Sequence, residues 1–186
     1  MAKKNKPGKP DAGRASKRRE VTPPRKTARK HAATLDAADR ELIAAAIAAR
    51  ECAHAPWSRF KVGAAARFGE QIVKGCNVEF DVYGLTNCAE RTAVFAAFAC
   101  GAAGKPLTAM AVVADTPQPV SPCGACRQVL FECGGPDLRV ILANMAGDAC
   151  AVRMADLLPG GFELDPSTPV QTAKTGKPNA AVRRRR

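Results

Sequence analysis

The sequence predicts an α/β fold in which helices cover both faces of one sheet. Helix-like and strand-like segments alternate along the chain, which is typical of this fold class. Leu107–Ala114 is a short and almost wholly apolar run, as expected of a strand at the buried centre of the sheet. At 186 residues the chain is long enough for about one domain with a buried core.

The first predicted element is a helix over about residues 36–54. Thr34 and Asp36 are both suitable N-caps, because their short side chains can accept hydrogen bonds from the free N–H groups of the first turn. Pro56 marks the end of the helix, since proline has no N–H to continue the hydrogen-bond ladder.

A β-hairpin is predicted next. Residues 61–68 and 71–78 are strand-like, and Gly69-Glu70 between them suits a two-residue turn with glycine first. The later elements are predicted in the order helix, strand, helix, strand, strand and helix, over about residues 88–102, 107–114, 122–134, 138–143, 149–152 and 153–158.

The net charge of +12 is concentrated at the two ends of the chain. Residues 1–34 carry 12 Lys/Arg and two acidic residues, and residues 171–186 carry six Lys/Arg and no acid. The segment between them has 11 Lys/Arg and 15 Asp/Glu, a net charge of −4. We therefore predict disordered basic tails over residues 1–34 and 168–186 and a folded domain over residues 35–167. Only the tails are expected to bind nucleic acid, weakly and without specificity.

The sequence has no apolar run that approaches the roughly 18 residues needed to span a bilayer. The basic N-terminus is not followed by the apolar segment of a secretory signal. These features predict a cytoplasmic protein without membrane contact. In that compartment the eight cysteines are expected to be metal ligands or buried thiols instead of disulfides.

Two of these cysteines lie at a predicted helix start. Ser121 suits the N-cap and Pro122 suits the first helical position, so Cys123 and Cys126 fall three residues apart on one face of the opening turns. The partial positive charge of a helix N-terminus favours the thiolate form, which is the form that binds metals.

A second helix start carries one more cysteine and a carboxylate. Asn87 can cap this helix, which places Cys88 in the first turn and Glu90 at the third position. Three thiolates from two helix starts would leave the fourth position of a tetrahedral zinc ion open, as in catalytic sites. Glu90 is not needed as a ligand and can transfer a proton to or from the reacting groups.

Other interpretations of these residues remain open at this point. Glu90 could complete a capping box with Asn87, and Cys123 and Cys126 could form a redox dithiol. A structural zinc site with four cysteine ligands, in a protein that binds nucleic acid through its basic arms, is a further alternative. The cysteines that could complete such a site are Cys52, Cys76, Cys100, Cys133 and Cys150.

Cys88-Ala89-Glu90, followed after a strand by Pro122-Cys123-Gly124-Ala125-Cys126, matches the three-cysteine form of the zinc deaminase signature. Further stretches resemble the small cytidine deaminases in the same order, over residues 58–65, 88–93, 112–116, 121–130, 141–144 and 157–159. The resemblance covers roughly residues 40–163. It implies a three-layer α/β/α cytidine deaminase-like fold with a mixed five-stranded sheet, one Zn²⁺ per chain and a homotetramer.

The resemblance also implies an activity, the hydrolytic deamination of cytidine and deoxycytidine to uridine and deoxyuridine in pyrimidine salvage. Zinc would be held by Cys88, Cys123 and Cys126. Glu90 would move the protons of the reaction, and the backbone N–H of Ala89 would contact the base. The alternative is a deaminase of a modified cytosine nucleoside, of a nucleoside antibiotic or of cytosine in a polynucleotide.

Five further residues have roles implied by the resemblance. Asn77 and Glu79 lie two apart on a predicted strand, where an amide and a carboxylate on one face would suit the paired hydroxyls of ribose or form a polar solvent face. Phe60 matches the aromatic residue that packs on the base. Phe162 matches the aromatic residue that reaches the pocket of a neighbouring subunit. Arg91 matches the arginine that donates hydrogen bonds to the zinc thiolates.

The chain departs from the family pattern in one loop. The family commonly has asparagine and small residues between the sugar-binding pair and the next aromatic-glycine pair. Phe80-Asp81-Val82 stand there in this chain, before Tyr83-Gly84. This difference predicts altered packing of the loop and, with it, an altered subunit contact or substrate range.

Overall fold

Helices and strands alternate as predicted in the part of the chain that the computed structural model describes, residues 34–163. The elements are, in order, α1 (Ala37–Glu51), β1 (Val62–Phe68), β2 (Gln71–Cys76), α2 (Ala89–Ala99), β3 (Leu107–Ala114), α3 (Gly124–Gly134), β4 (Arg139–Asn144), β5 (Ala149–Arg153) and α4 (Met154–Leu157). Two short 3-10 turns, Tyr83–Leu85 and Ala102–Gly104, flank α2.

The five strands form one mixed sheet in the order β2-β1-β3-β4-β5. β1 is antiparallel to both β2 and β3, β3 is parallel to β4, and β4 is antiparallel to β5. One apolar cluster packs α1 against one face of the sheet, and a second cluster packs α2, α3 and α4 against the other face. The predicted three-layer α/β/α fold with a mixed five-stranded sheet is therefore confirmed.

The first helix begins where the sequence predicted and ends earlier. Asp36 is the N-cap, and its side chain accepts a hydrogen bond from the backbone N–H of Asp39 while the Asp39 carboxylate accepts one from Asp36. The helix ends at Glu51 instead of His54. The N–H of His54 donates to the carbonyl of Asn77, just beyond β2, instead of to a carbonyl of the helix. The chain therefore runs beside the end of β2 at this point.

Asp39 also joins α1 to the sheet. Its carboxylate is almost fully buried and accepts hydrogen bonds from the Arg139 guanidinium at 2.6 and 2.9 Å. This hydrogen bond from Arg139 lowers the pKa of Asp39 below its ordinary value, although burial opposes the shift. Asp39 therefore stays ionised in the folded chain.

Replacing Asp39 by asparagine should lower the free energy of unfolding at pH 7 by about 2–3 kcal/mol, because it leaves Arg139 without its charged partner. A carboxyl whose folded pKa is lowered stabilises the fold fully above its unfolded pKa of about 4. The difference between the two chains should shrink as the pH falls from there, and vanish below the folded pKa. Urea unfolding at several pH values measures it. Asp137→Asn, which alters an exposed ion pair with Arg153, should cost less than about 0.5 kcal/mol. Equal effects of the two substitutions would contradict this account.

Two glycines let the helices lie directly on the sheet. A Cβ atom on Gly63 would lie 2.0 Å from the carbonyl oxygen of Ala46, so only glycine lets α1 pack on β1 at this point. A Cβ atom on Gly75 would lie 2.3 Å from the Ala93 nitrogen and 2.5 Å from the Ala89 oxygen. Gly75 therefore fixes how closely the start of α2 approaches β2.

The predicted starts of the second and third helices were wrong by one and two residues. α2 begins at Ala89 with Cys88 at the N-cap position, and α3 begins at Gly124 with Cys123 at the N-cap position. The polar groups predicted as caps have other partners, because the Asn87 amide donates to the Thr92 hydroxyl and the Ser121 hydroxyl accepts from Arg127. A cysteine with extended backbone thus precedes each helix.

The segments predicted as basic tails, residues 1–34 and 168–186, lie almost wholly outside the described residues, so their disorder stays a prediction. The same holds for the domain boundary at residue 167. Within residues 34–163, no helix has the length and apolar character required to cross a membrane.

Candidate active site

The starts of α2 and α3 bring three thiols together. Cys88 and Cys123 precede the two helices, and Cys126 lies in the first turn of α3. The three Sγ atoms lie within 4.8 Å of one another, and those of Cys88 and Cys123 are 3.8 Å apart. All eight cysteines belong to the described residues, and no fourth one joins this cluster.

The arrangement of these thiols fits a tetrahedral zinc ion. Zinc–sulfur bonds are about 2.3 Å long, so two sulfur ligands of a tetrahedral ion are about 3.8 Å apart. The observed spacing of Cys88 and Cys123 matches this value. Three protein ligands leave the fourth coordination position for water or substrate, which distinguishes a catalytic site from a closed structural site.

Cys88 is readily ionised. Hydrogen bonding from Cys126, together with a hydrogen bond from Arg91, lowers the pKa of Cys88 to about 5, against the effect of burial. The Arg91 guanidinium lies 3.7 Å from the Cys88 sulfur. Arg91 therefore lies beside Cys88, where its positive charge would offset part of the negative charge of three thiolates around a divalent ion.

Glu90 lies in the second position of α2 and is only 4% exposed. Burial raises the pKa of its carboxyl above the ordinary value, and the charge of Cys88 acts in the same direction. Neither half of a capping box is present at this helix start. A buried carboxyl with a raised pKa next to a metal centre is suited to take up and release protons.

Glu90 faces a cavity of about 320 Å³, a size typical of small-molecule sites. The cavity wall is mostly apolar and includes two of the three cysteines. Its lining residues are Phe60, Val62, Asn77, Thr86, Asn87, Cys88, Ala89, Glu90, Val112, Val120, Ser121 and Cys123. A second cavity of about 380 Å³ is lined by Trp57, Ser58, Glu79, Tyr83 and Thr86, so Thr86 borders both.

Three of the residues predicted to contact substrate line the cavity of Glu90. They are Phe60, Asn77 and Ala89, and Ala89 is the first residue of α2. The N–H groups of a first helical turn have no partner within the helix, so the N–H of Ala89 is available to a ligand. The Asn77 amide holds the backbone around Phe60, because it donates to the Phe60 carbonyl at 2.8 Å and accepts from the Val62 N–H at 2.8 Å.

Glu79 and Phe162 lie elsewhere in the single chain. Glu79 lines the second cavity, where hydrogen bonds from Ser58, first of all from its hydroxyl, lower the pKa of the carboxyl. Phe162 is 62% exposed and is held through its backbone by the side chain of Gln128. The sugar-binding role of Glu79 and the intersubunit role of Phe162 therefore remain predictions.

Ser58, to which the sequence pattern gave no predicted role, binds one of the predicted substrate contacts. Its hydroxyl donates to the Glu79 carboxylate and accepts a hydrogen bond from the N–H of Phe60, two residues ahead. The second of these hydrogen bonds follows a local pattern that serine often forms in turns, so it could have been predicted from the sequence. The bond with Glu79 spans 21 residues and has no local signal.

Residues 36–143 match the family described as the cytidine and deoxycytidylate deaminase zinc-binding region. The chain is 51% identical over 129 residues to the cytidine deaminase of Halalkalibacterium halodurans, a match that covers 68% of this chain and 96% of that protein. It is 50% identical over 126 residues to the cytidine deaminase of Sporosarcina psychrophila, covering 67% of this chain and 91% of that protein.

Solved structures of the same family resemble the fold. The crystal structure of cytidine deaminase from Burkholderia pseudomallei has a TM-score of 0.63 at 53% identity and covers 66% of this chain and 98% of its own. That of cytidine deaminase from Mycobacterium tuberculosis has a TM-score of 0.60 at 42% identity and covers 69% and 100%. The fold, the three converging thiols and these matches together place the chain in the zinc-binding cytidine and deoxycytidylate deaminase family.

Proposed function

We propose that this protein is a zinc-dependent hydrolase that converts cytidine and deoxycytidine to uridine and deoxyuridine, and that it serves pyrimidine salvage in the cytoplasm. One observation carries the proposal. The buried carboxyl of Glu90 and the converging thiols of Cys88 and Cys123 line one cavity that is large enough for a small molecule. Because no glycine-rich phosphate cradle is present in the sequence, an uncharged nucleoside suits this site better than a nucleotide.

Cys88, Cys123 and Cys126 would hold one Zn²⁺ per chain. When bound, the ion supplies Lewis acidity, which makes a water molecule a nucleophile near neutral pH. The water adds to C4 of the base and the bond between C4 and the amino nitrogen breaks. Glu90 moves the two protons of the water, one to N3 and the other to the departing amine, so that ammonia leaves. Its raised pKa suits a group that must both accept and release protons.

The remaining groups would bind and orient the substrate. The N–H of Ala89, at the start of α2, would donate to the base, and Phe60 would pack on it. Asn77 and Glu79 would contact the sugar. Arg91 would keep the thiolates from donating too much charge to the ion and so maintain its Lewis acidity.

The proposal is tested by measuring ammonia release from a panel of substrates with the zinc-loaded protein. The panel contains cytidine, deoxycytidine, their 5′-monophosphates, a ring-modified cytosine nucleoside and single-stranded DNA. Turnover of the two plain nucleosides well above the others is the expected result. Preference for single-stranded DNA or for the modified nucleoside would favour the alternative substrate classes.

We also propose that four copies assemble. Large apolar side chains of one chain are exposed on the outward face of α2 and in the loop before it. They include Phe95, Phe98, Phe80, Val82 and Leu85. Such a surface is typical of an interface between subunits. The molar mass in solution, measured by light scattering, tests the homotetramer.

Removing both tails should leave the chemistry intact. The tails hold the excess positive charge and the segment between them has a net charge of −4, so a neutral nucleoside gains little from them. A shortened chain of residues 35–170 should hold zinc, assemble and deaminate cytidine at a rate near that of the full chain. Its affinity for DNA should fall sharply, as should that of the full chain at high salt.

The comparison requires equal zinc content in the two proteins, measured by metal analysis. If the shortened chain stays folded with zinc bound and still loses about tenfold or more of its cytidine turnover, a tail contributes to the active site.

A further inference from the structure

The loop between α1 and β1 holds the carboxylate of Glu79. Its oxygen Oε2 accepts hydrogen bonds from the N–H of Trp57 at 3.0 Å and from the N–H of Ser58 at 3.2 Å. Its oxygen Oε1 accepts a hydrogen bond from the Ser58 hydroxyl. Hydrogen bonds to an ionised carboxylate are stronger than those between neutral groups, so this contact fixes the direction of the Glu79 side chain.

The same hydroxyl holds Phe60. The Phe60 N–H donates to Ser58 Oγ at 3.0 Å, and the Phe60 carbonyl accepts from the Asn77 amide at 2.8 Å. Arg59, between Ser58 and Phe60, adopts a φ of 57°, which gives the loop its sharp turn. The N–H of Phe60 is therefore bonded to Ser58, which holds Glu79, and its carbonyl is bonded to Asn77. Glu79 and Asn77 are the two predicted sugar contacts.

Ser58 connects the two cavities through these bonds. Ser58 and Glu79 line the second cavity, whereas Phe60 and Asn77 line the cavity of Glu90. A serine hydroxyl has one proton to donate and lone pairs to accept with. Ser58 uses both functions, one toward each cavity.

We propose that Ser58 is a positioning residue that sets Glu79 for the sugar hydroxyls and Phe60 for the base, so that the two ends of a nucleoside are bound as one unit. The inference rests on the proposed function. Without the Ser58 hydroxyl, Glu79 retains only two backbone donors and can rotate away from the sugar, and Phe60 loses the partner of its N–H.

The test measures the activity of Ser58→Ala on cytidine and on 2′,3′-dideoxycytidine, which lacks the 2′ and 3′ hydroxyls of the sugar. Ser58→Ala should raise the KM for cytidine by about tenfold or more and change kcat by less than about threefold. The preference of the unmodified protein for cytidine over the dideoxy nucleoside should largely disappear. Ser58→Thr keeps the hydroxyl and should retain that preference.

Two further variants serve as references. Thr108→Ala removes a hydroxyl that donates a hydrogen bond to the backbone carbonyl of Arg67, at the end of β3 away from the site, and should behave as the unmodified protein. In a Glu79→Gln background, Ser58→Ala should add less loss than it does in the unmodified protein, because the hydrogen bond to a charged carboxylate is already gone and only the bond to Phe60 remains to be lost.

Equal weakening of both nucleosides by Ser58→Ala, or no effect beyond that of Thr108→Ala, would overturn the inference. Loss of zinc or of the folded state in Ser58→Ala would make Ser58 a structural residue and overturn it as well. Failure of the unmodified zinc-loaded protein to release ammonia from cytidine is a separate result, which would remove the proposed function itself.

Discussion

Glu90→Gln should keep the fold and the zinc while turnover of cytidine falls by about 10²–10⁴-fold or more. Glutamine has the same shape as glutamate, yet it cannot accept and release a proton. Glu90 is buried beside the three thiols and is not one of them, so its replacement should leave the metal ligands in place. The measurement is kcat for cytidine at equal zinc content.

Glu132→Gln is the matched control. Glu132 is exposed on α3, where it accepts a hydrogen bond from Gln128, and its replacement should leave turnover unchanged. If Glu90→Gln retains zinc and runs within a few-fold of the unmodified protein, then Glu90 does not carry the protons of the reaction.

Zinc should be lost when any one of Cys88, Cys123 or Cys126 is replaced by alanine. A catalytic zinc ion is typically held by three protein ligands, and these three thiols are all that the cluster offers, so removal of one should lower the metal affinity by several orders of magnitude and abolish turnover. The expected content of the unmodified protein is one zinc per chain, determined by metal analysis after dialysis.

The five other cysteines supply the controls, since none of them belongs to the thiol cluster. Alanine at each should leave the zinc content at one per chain, although loss of a half-buried thiol lowers stability. They are Cys52, Cys76, Cys100, Cys133 and Cys150. Zinc loss from two or more of these variants, with the fold retained, would mean that the metal binds at a different place.

Strong local patterns explain why most of the fold could be predicted from the sequence. β3 has the predicted bounds, Leu107–Ala114, because a short apolar run of this length is typical of a strand that is buried on both faces. The hairpin turn was predicted from Gly69, which adopts a φ of 56° that other residues rarely adopt.

The helix starts at the site were misplaced for a physical reason. Capping rules rest on side-chain oxygens that accept from backbone N–H groups, which favoured Asn87 and Ser121. The structure places Cys88 and Cys123 at those positions instead, with extended backbone that directs the sulfurs beyond the helix ends toward each other. At both helices the N-cap position is occupied by a metal-binding cysteine and not by a residue whose side chain caps the helix.

The contacts of Glu79 lay beyond local sequence patterns. Glu79 was predicted to lie beside Asn77 on one strand, but β2 ends at Cys76 and the two side chains line different cavities. The donors to Glu79 come from Trp57 and Ser58, more than 20 residues earlier, and only the folded chain brings them together. Tertiary contacts of this kind have no periodic signal in the sequence.

The close contact between Gly75 and the start of α2 limits which positions of this protein can be substituted. A side chain at this position would displace Ala89, and with it Cys88 and Glu90. We therefore expect any substitution of Gly75 to lower the deaminase activity. The large apolar side chains of the loop at residues 80–85 are exposed in the single chain and do not hold the start of α2. Substitutions in the loop can therefore change a subunit contact or the substrate range without displacing Cys88 and Glu90.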